Sequence, residues 1–189
     1  MADRPENPDL IAELNDLLQL DHDAVHAYTI AIENLQASEH REVLQTFRGD
    51  HERHIEELTL LIQQNGGRPT DRSHLTTGPF KAAVQQMASA AGEWGILTAF
   101  KANERQARDK YQRHAEREHQ PRIADVLRRA ANDEARHYAW VEKTLEEIGG
   151  PLGGKAADAL EAGRARVADA MEAGERAAGR MAEGMGRSD

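Results

Sequence analysis

The strongest local motif of the chain is Glu134-Ala-Arg-His137, in which a carboxylate and an imidazole stand three residues apart. On a helix this spacing places both side chains on one face, from which both can reach the same metal ion. The motif alone carries little weight, because many solvated helices contain it by chance. Its weight comes from Glu104, thirty residues earlier, and from Tyr111, seven residues after that glutamate. Together they indicate that acids and a histidine of two helices lie close to one another near the axis of a bundle.

The same pattern occurs 83 residues earlier in the chain, where Asp21 matches Glu104 and His54 matches His137. Eleven pairs are identical at this offset between Leu14 and Gly67, and they include Ala24/Ala107, Tyr28/Tyr111, Asp50/Asp133, Arg53/Arg136 and His54/His137. Polar residues are not needed to fill a core, and a charge such as that of Asp21 on an apolar helix face is costly unless it has a partner. The repeat therefore indicates two helix pairs that face one another around shared chemistry.

Prolines and glycines divide the chain into helices, since proline starts or breaks a helix and glycine ends one. Asn7-Pro8 is a helix start, and Gly66-Gly67 is a helix end. Apolar residues at intervals of three, four and seven predict the helices between such signals. The expected helices cover residues 9–35, 38–65, 80–91, 93–118 and 122–148. Two short-looped helix pairs and a long crossover predict an all-α four-helix bundle over residues 1–150, with repeat units 8–67 and 91–150.

Composition narrows the function further. The chain has no cysteine, which excludes thiol nucleophiles and zinc–thiolate sites. A net charge of −9 argues against nucleic acid and anionic membranes as partners. No stretch approaches the roughly 20 apolar residues of a membrane span, and the first residues do not have the apolar centre of a secretory signal. We expect a cytoplasmic protein. Residues 151–189, rich in alanine and glycine, are expected to form a flexible or partly helical tail that could bind a protein partner.

These motifs resemble the ferritin-like superfamily, especially bacterioferritins and rubrerythrins, over residues 8–150. Such proteins supply one carboxylate from each of two helices and an E-x-x-H motif from each of the other two. Trp140, three residues after His137, matches a tryptophan of the bacterioferritin fourth helix. The resemblance implies a ferritin-like fold and a dinuclear site. The implied metal ligands are Asp21, His51, His54, Glu104, Glu134 and His137, and the implied outer partners are Tyr28, Tyr111, Asp50 and Asp133.

One residue departs from the family pattern, because His51 stands where the first E-x-x-H motif would have its glutamate. A second bridging carboxylate is then missing, unless Asp50 turns inward to replace it. More nitrogen and less negative charge should shift the affinity of the site toward softer divalent ions. The resemblance implies two metal ions, iron first with manganese or zinc as alternatives. It also implies a homodimer that reacts with O2 or peroxide, as a ferroxidase or a stress-related peroxide-detoxifying oxidoreductase.

Interpretations without metal binding or catalysis also remain open. Asp21 and Glu104 could pair with Arg53 or Arg136, and the histidines could be core residues satisfied by backbone or tyrosine. The whole chain could be a non-catalytic stress or structural bundle with a degenerate metal site, or an adaptor that acts through its tail. We expect Asp50 to orient His54, and Asp133 to orient His137. His22 and His26, spaced i and i+4, could bind a divalent ion at the surface, although a solvated helix face is the simpler interpretation.

Overall fold

Four helices make up the part of the chain that the computed structural model describes, residues 7–71 and 77–148. They are α1 (Pro8–Asn34), α2 (Ser38–Gln64), α3 (Thr77–Ala115) and α4 (Pro121–Ile148). The all-α four-helix bundle predicted from the sequence is confirmed. The predicted helices 80–91 and 93–118 correspond to the two parts of α3, and the predicted boundary between them is confirmed by non-helical backbone at Ala91 and Gly92. The expected tail, residues 151–189, lies outside the described residues.

A long crossover joins the two helix pairs, and its described ends, near Gly67 and Glu93, lie at opposite ends of the bundle. Residues 35–37 join α1 to α2, and residues 116–120 join α3 to α4, so each pair is antiparallel. Near residue 93 the Glu93 carboxylate accepts a hydrogen bond from the backbone N–H of Gln36 (2.6 Å). At the opposite end Arg117 forms an ion pair with Glu13. Helix α3 is therefore antiparallel to α1, and each helix packs against two neighbours.

Local signals set the helix ends. The Asn7 side chain accepts a hydrogen bond from Leu10 N (3.1 Å), with Pro8 at the first helical position, as the sequence predicts. At the end of α2, Gly66 adopts φ 73°, and Gly67 N donates to Ile62 O (2.9 Å). A β-carbon on Gly67 would lie 2.7 Å from two side-chain atoms of Ile11. Both glycines are required here, one by its conformation and the other by the close approach of α1.

The two larger apolar clusters of the core lie on either side of a polar layer, and a third, small cluster contains Met87 and Ala99. The first cluster includes Tyr28, Ala31, Leu44, Phe47, Ile96, Leu97, Phe100 and Val141. The second includes Leu14, Leu17, Leu18, Leu58, Leu61, Ile62, Ile123 and Leu127. Each helix thus passes from one cluster through the polar layer to the other.

None of the described helices is long and apolar enough to cross a membrane.

Candidate metal centre

The polar layer brings together all six residues predicted as metal ligands. Helix α1 supplies Asp21, α2 supplies His51 and His54, α3 supplies Glu104, and α4 supplies Glu134 and His137. None of the six is more than 2% exposed. Three carboxylates and three imidazoles are therefore shielded from water at the centre of the bundle, where an uncompensated charge would be costly.

The first group of candidate ligands is Asp21, His51, His54 and Glu134. His51 Nδ1 lies 2.8 Å from Asp21 Oδ1 and 3.5 Å from Glu134 Oε1. His54 Nδ1 lies 3.5 Å from each of the same two oxygens. Two nitrogens and two oxygens thus surround one small space.

The second group is His51, Glu104, Glu134 and His137. His137 Nδ1 lies 3.8 Å from Glu104 Oε2 and 3.8 Å from Glu134 Oε2. Glu134 therefore presents Oε1 to the first group and Oε2 to the second. Its carboxylate lies where the resemblance predicts a bridge between two metal ions.

Several atoms of the layer have no hydrogen-bond partner although they are buried. They are His51 Nε2, His54 Nδ1, Glu104 Oε2, both carboxylate oxygens of Glu134, and His137 Nδ1. Buried polar atoms are normally paired, and each unpaired one needs an explanation. Imidazole nitrogens and carboxylate oxygens are the donors that zinc, manganese and iron prefer. The residues present fit a pair of divalent metal ions.

An outer ring of two aspartates and two arginines locks the histidines from behind. Arg53 donates to Asp50 Oδ1 (2.7 Å) and to Asp133 Oδ2 (2.6 Å), and Arg136 donates to Asp133 Oδ1 (2.7 Å) and to Asp50 Oδ2 (2.6 Å). The arginines therefore bind these outer aspartates, and the interpretation that pairs them with Asp21 and Glu104 does not hold.

The ring corrects the expected partners of the histidines. His54 Nε2 donates to Asp133 (3.2 Å), and His137 Nε2 donates to Asp50 (3.0 Å), so each aspartate holds the histidine of the other repeat unit. Asp50 consequently does not turn inward to replace the glutamate that is missing at His51. A ring with its hydrogen on Nε2 presents the lone pair of Nδ1, which is the atom that faces the centre in both histidines.

Two tyrosines flank the layer, as the repeat predicts. Tyr111 Oη donates to Asp21 Oδ2, while the Tyr28 hydroxyl has no hydrogen-bond partner and the Tyr28 ring lies 5.1 Å from that of His51. Burial first, and then the charge of Asp21 for Tyr111 and of Glu104 for Tyr28, raises the pKa of each phenol well above its ordinary value. Both hydroxyls stay protonated at neutral pH.

The metal-free layer must hold protons to compensate its charges. Burial raises the pKa of Glu104 to about 8, and burial together with the charges of Glu104 and Asp21 raises that of Glu134 well above its ordinary value. Burial would lower the pKa of His54, but the carboxylates of Asp133 and Asp21 on either side of the ring raise it to about 9. Burial and the nearby His51 lower the pKa of His137 to about 3. Cations could replace these protons.

A cavity of about 30 Å³ lies between α1 and α3 and reaches the layer. Its lining includes apolar side chains such as Ala24 and Phe100. Four lining residues carry an unpartnered buried polar atom: Tyr28, His51, Asn103 and Glu104. The volume suits one or two molecules of the size of water, and the polar atoms offer them partners.

Other predicted features lie away from this centre. His22 is half-buried and His26 exposed, and neither belongs to a cluster of three candidate ligands among the described residues. Sequence reasoning missed Phe47, whose ring stacks on His137 at 4.1 Å. It also missed Glu93, which binds the α1–α2 turn and His40 Nδ1 (3.1 Å). No spacing pattern marks either residue, since both act across helices.

Comparison with known proteins agrees with this architecture. A family model described as a domain of unknown function (DUF2383) matches residues 9–116, and a rubrerythrin family model matches residues 95–172. No curated protein and no solved structure matches the chain. The first match covers more than half of the chain, and the second covers α4 and most of α3. The chain therefore belongs to the DUF2383 family, and the match of residues 95–172 to the rubrerythrin model, together with the four-helix fold, places it in the ferritin-like superfamily.

Proposed function

We propose that this protein binds two metal ions, iron in the first instance, in the layer between its apolar clusters, and that it reacts there with O2 or peroxide. The observation that carries the proposal is the set of unpartnered, fully buried donor atoms arranged in two groups that share Glu134. Two reduced metal ions held close together can deliver two electrons to an oxidant at once. Manganese or zinc would fit the same donors.

The chain's own residues would prepare the site for this chemistry. The outer ring fixes the rings of His54 and His137 with their Nδ1 atoms facing inward. The apolar clusters on either side exclude bulk water, which strengthens every electrostatic interaction in the layer. The cavity beside Glu104 gives a small molecule a route between α1 and α3. Tyr28 offers a protonated hydroxyl at the border of this cavity, and Tyr111 offers one that binds Asp21.

Metal analysis tests the first half of the proposal. We expect the chain, supplied with iron or manganese and purified in air, to hold up to two metal ions. His137→Ala should lower that number, whereas His114→Ala, which alters a half-buried histidine near the end of α3, should leave it unchanged. Wild-type protein without metal, after supply of iron, manganese and zinc in turn, would refute metal binding.

Anaerobic loading with Fe(II) tests the second half. Mixing with O2 or with peroxide should oxidise the iron faster in wild type than in Glu134→Gln, as followed by absorbance. Equal rates in the two proteins would leave a metal-binding protein without the proposed reaction.

A second candidate, a non-catalytic bundle, is favoured by one observation. The 2.8 Å contact between His51 and Asp21 shows that part of the layer can pair with itself. Such a bundle would melt at the same temperature with and without a chelator, whereas a metal at 100 times its dissociation constant adds about 2.7 kcal/mol.

Pairing of two copies into a homodimer is also part of our proposal, and the mass of the chain in solution tests it.

A further inference from the structure

Among the six candidate ligands, only His51 differs in chemical type from its partner in the repeat, because the other pairs match acid with acid or histidine with histidine. In the repeat, His51 occupies the position that matches Glu134. A carboxylate has two oxygens and can bind two metal ions, whereas a neutral imidazole has one lone pair and can bind one. Glu134 can serve both positions, one with each oxygen. Neutral His51 can serve only one of them.

The contacts indicate which position His51 serves. Its Nδ1 lies 2.8 Å from Asp21 Oδ1 and 3.5 Å from Glu134 Oε1, both of which belong to the first group. His54 Nδ1 lies 3.5 Å from each of the same two oxygens. The four distances between these imidazole nitrogens and carboxylate oxygens therefore lie between 2.8 and 3.5 Å. A tetrahedron with bonds of about 2.0–2.1 Å has edges of about 3.4 Å, which is the size of a four-ligand zinc site.

Assigning His51 Nδ1 to the first position takes His51 out of the second group, which then keeps three ligands. Glu104, Glu134 and His137 stand farther apart, at 3.8 Å for both measured pairs. Glu104 also lines the cavity between α1 and α3, as does His51, whose Nε2 has no partner. Metal sites with three protein ligands and an open position take an exogenous ligand, whereas four-ligand sites are closed.

We propose that the centre is asymmetric: Asp21, His51, His54 and Glu134 form a closed tetrahedral site that binds a zinc-type divalent ion tightly. Glu104, Glu134 and His137 form an open, weaker site that faces the cavity. His51 Nε2–H then points a donor toward any small ligand in the cavity. This inference rests on the metal binding proposed above, but not on the reaction with an oxidant.

Zinc titration of the chelator-stripped chain against a chromophoric competitor tests the inference. Wild type should bind zinc in two steps, the first at least about 100-fold tighter, because loss of a direct ligand should exceed the about 10–100-fold cost of losing an outer partner. Asp21→Asn should remove the tight step, and the matched isosteric change Glu104→Gln should remove only the weak one. If Asp21→Asn loses its helical circular dichroism, His54→Gln replaces it. Zinc-edge X-ray absorption of the 1:1 complex should show four nitrogen and oxygen ligands.

The change His51→Glu gives both repeat units a glutamate at this position and should bring the two affinities within about tenfold, since both metal positions then share two carboxylates. Two zinc ions bound equally tightly by wild type would overturn the asymmetry and leave metal binding intact. The asymmetry would also be overturned if Asp21→Asn and Glu104→Gln weakened the same step. Absence of zinc from the wild type, and of iron and manganese, would overturn the proposed function and this inference together.

Discussion

In the outer ring each aspartate binds the histidine of the other repeat unit, which leads to a prediction opposite to the one that proximity along the chain would suggest. Asp133 lies on α4, four residues before His137, yet it binds the outer nitrogen of His54 on α2. We therefore expect Asp133→Asn to weaken the metal position that contains His54, and Asp50→Asn to weaken the one that contains His137.

The size of the effect follows from the contacts that each aspartate makes. The side chains of Arg53 and Arg136 are 45% and 52% exposed, so their ion pairs with Asp50 and Asp133 contribute at most about 1 kcal/mol each. The bond from a buried histidine to a carboxylate is worth about 1.5–3 kcal/mol. Outer partners of this kind change metal affinity by about 10–100-fold, which is about 1.4–2.7 kcal/mol. The histidine bond therefore dominates the expected loss.

The assay isolates one position at a time. In a Glu104→Gln background only the first position keeps its ligands, and there Asp133→Asn should reduce zinc affinity while Asp50→Asn has a smaller effect. In an Asp21→Asn background the order should reverse. Asp125→Asn serves as the control, because its carboxylate pairs on the surface with Arg128, whose side chain is 62% exposed.

One result would refute the reasoning. If each aspartate affects the histidine of its own helix pair, the crossed contacts do not govern the orientation of the ligands. Equal effects of both substitutions in both backgrounds would mean that the ring acts only as a general stabiliser of the bundle.

Three further predictions concern stability, measured as urea denaturation of the chelator-treated chain. The raised pKa values of His54 (about 9) and Glu104 (about 8) mean that the native state holds protons more tightly than the unfolded chain, so stability should fall from pH 6.5 to 9; His54 alone accounts for about 3 kcal/mol, and constant stability would contradict this. Gly67→Ala should destabilise by about 1–3 kcal/mol through the close contact with α1, whereas Gly49→Ala, with open space inside α2, should stabilise by up to about 1 kcal/mol. Tyr111→Phe should cost about 1–3 kcal/mol, since it removes the hydroxyl that binds the Asp21 carboxylate, and no loss would show that this oxygen finds another donor.

Much of the fold could be predicted because its signals are local. Asn7-Pro8 and Gly66-Gly67 mark helix ends through backbone chemistry that acts within a few residues. The six buried polar residues could be found because matching positions of the two repeat units carry an acid or a histidine at helical spacing, and because these motifs resemble those of the ferritin-like superfamily. The break between residues 91 and 93 could be placed too, and the backbone is non-helical there, at Ala91 and Gly92.

The contacts between helices could not be predicted in the same way. A spacing of three or four residues shows that Asp133 and His137 share a helix, but it does not give the rotation of α4 against α2. That rotation decides whether Asp133 meets His137 or His54. Glu93 is a similar case, because its partners are backbone groups 56 and 57 residues earlier in the chain.

The place where the two repeat units differ separates two roles within the same layer. Asp50, Arg53 and His54 recur unchanged as Asp133, Arg136 and His137, and these residues build the crossed outer ring. The exchange of glutamate for histidine at residue 51 lies on the inner side, between the ring and the α1–α3 cavity. The ring contacts only the outer nitrogens of the two locked histidines, so it can hold them in the same orientation whatever ion they bind. The outer ring therefore sets the orientation of His54 and His137, while His51 is the residue that, in our proposal, decides how two metal positions divide the ligands.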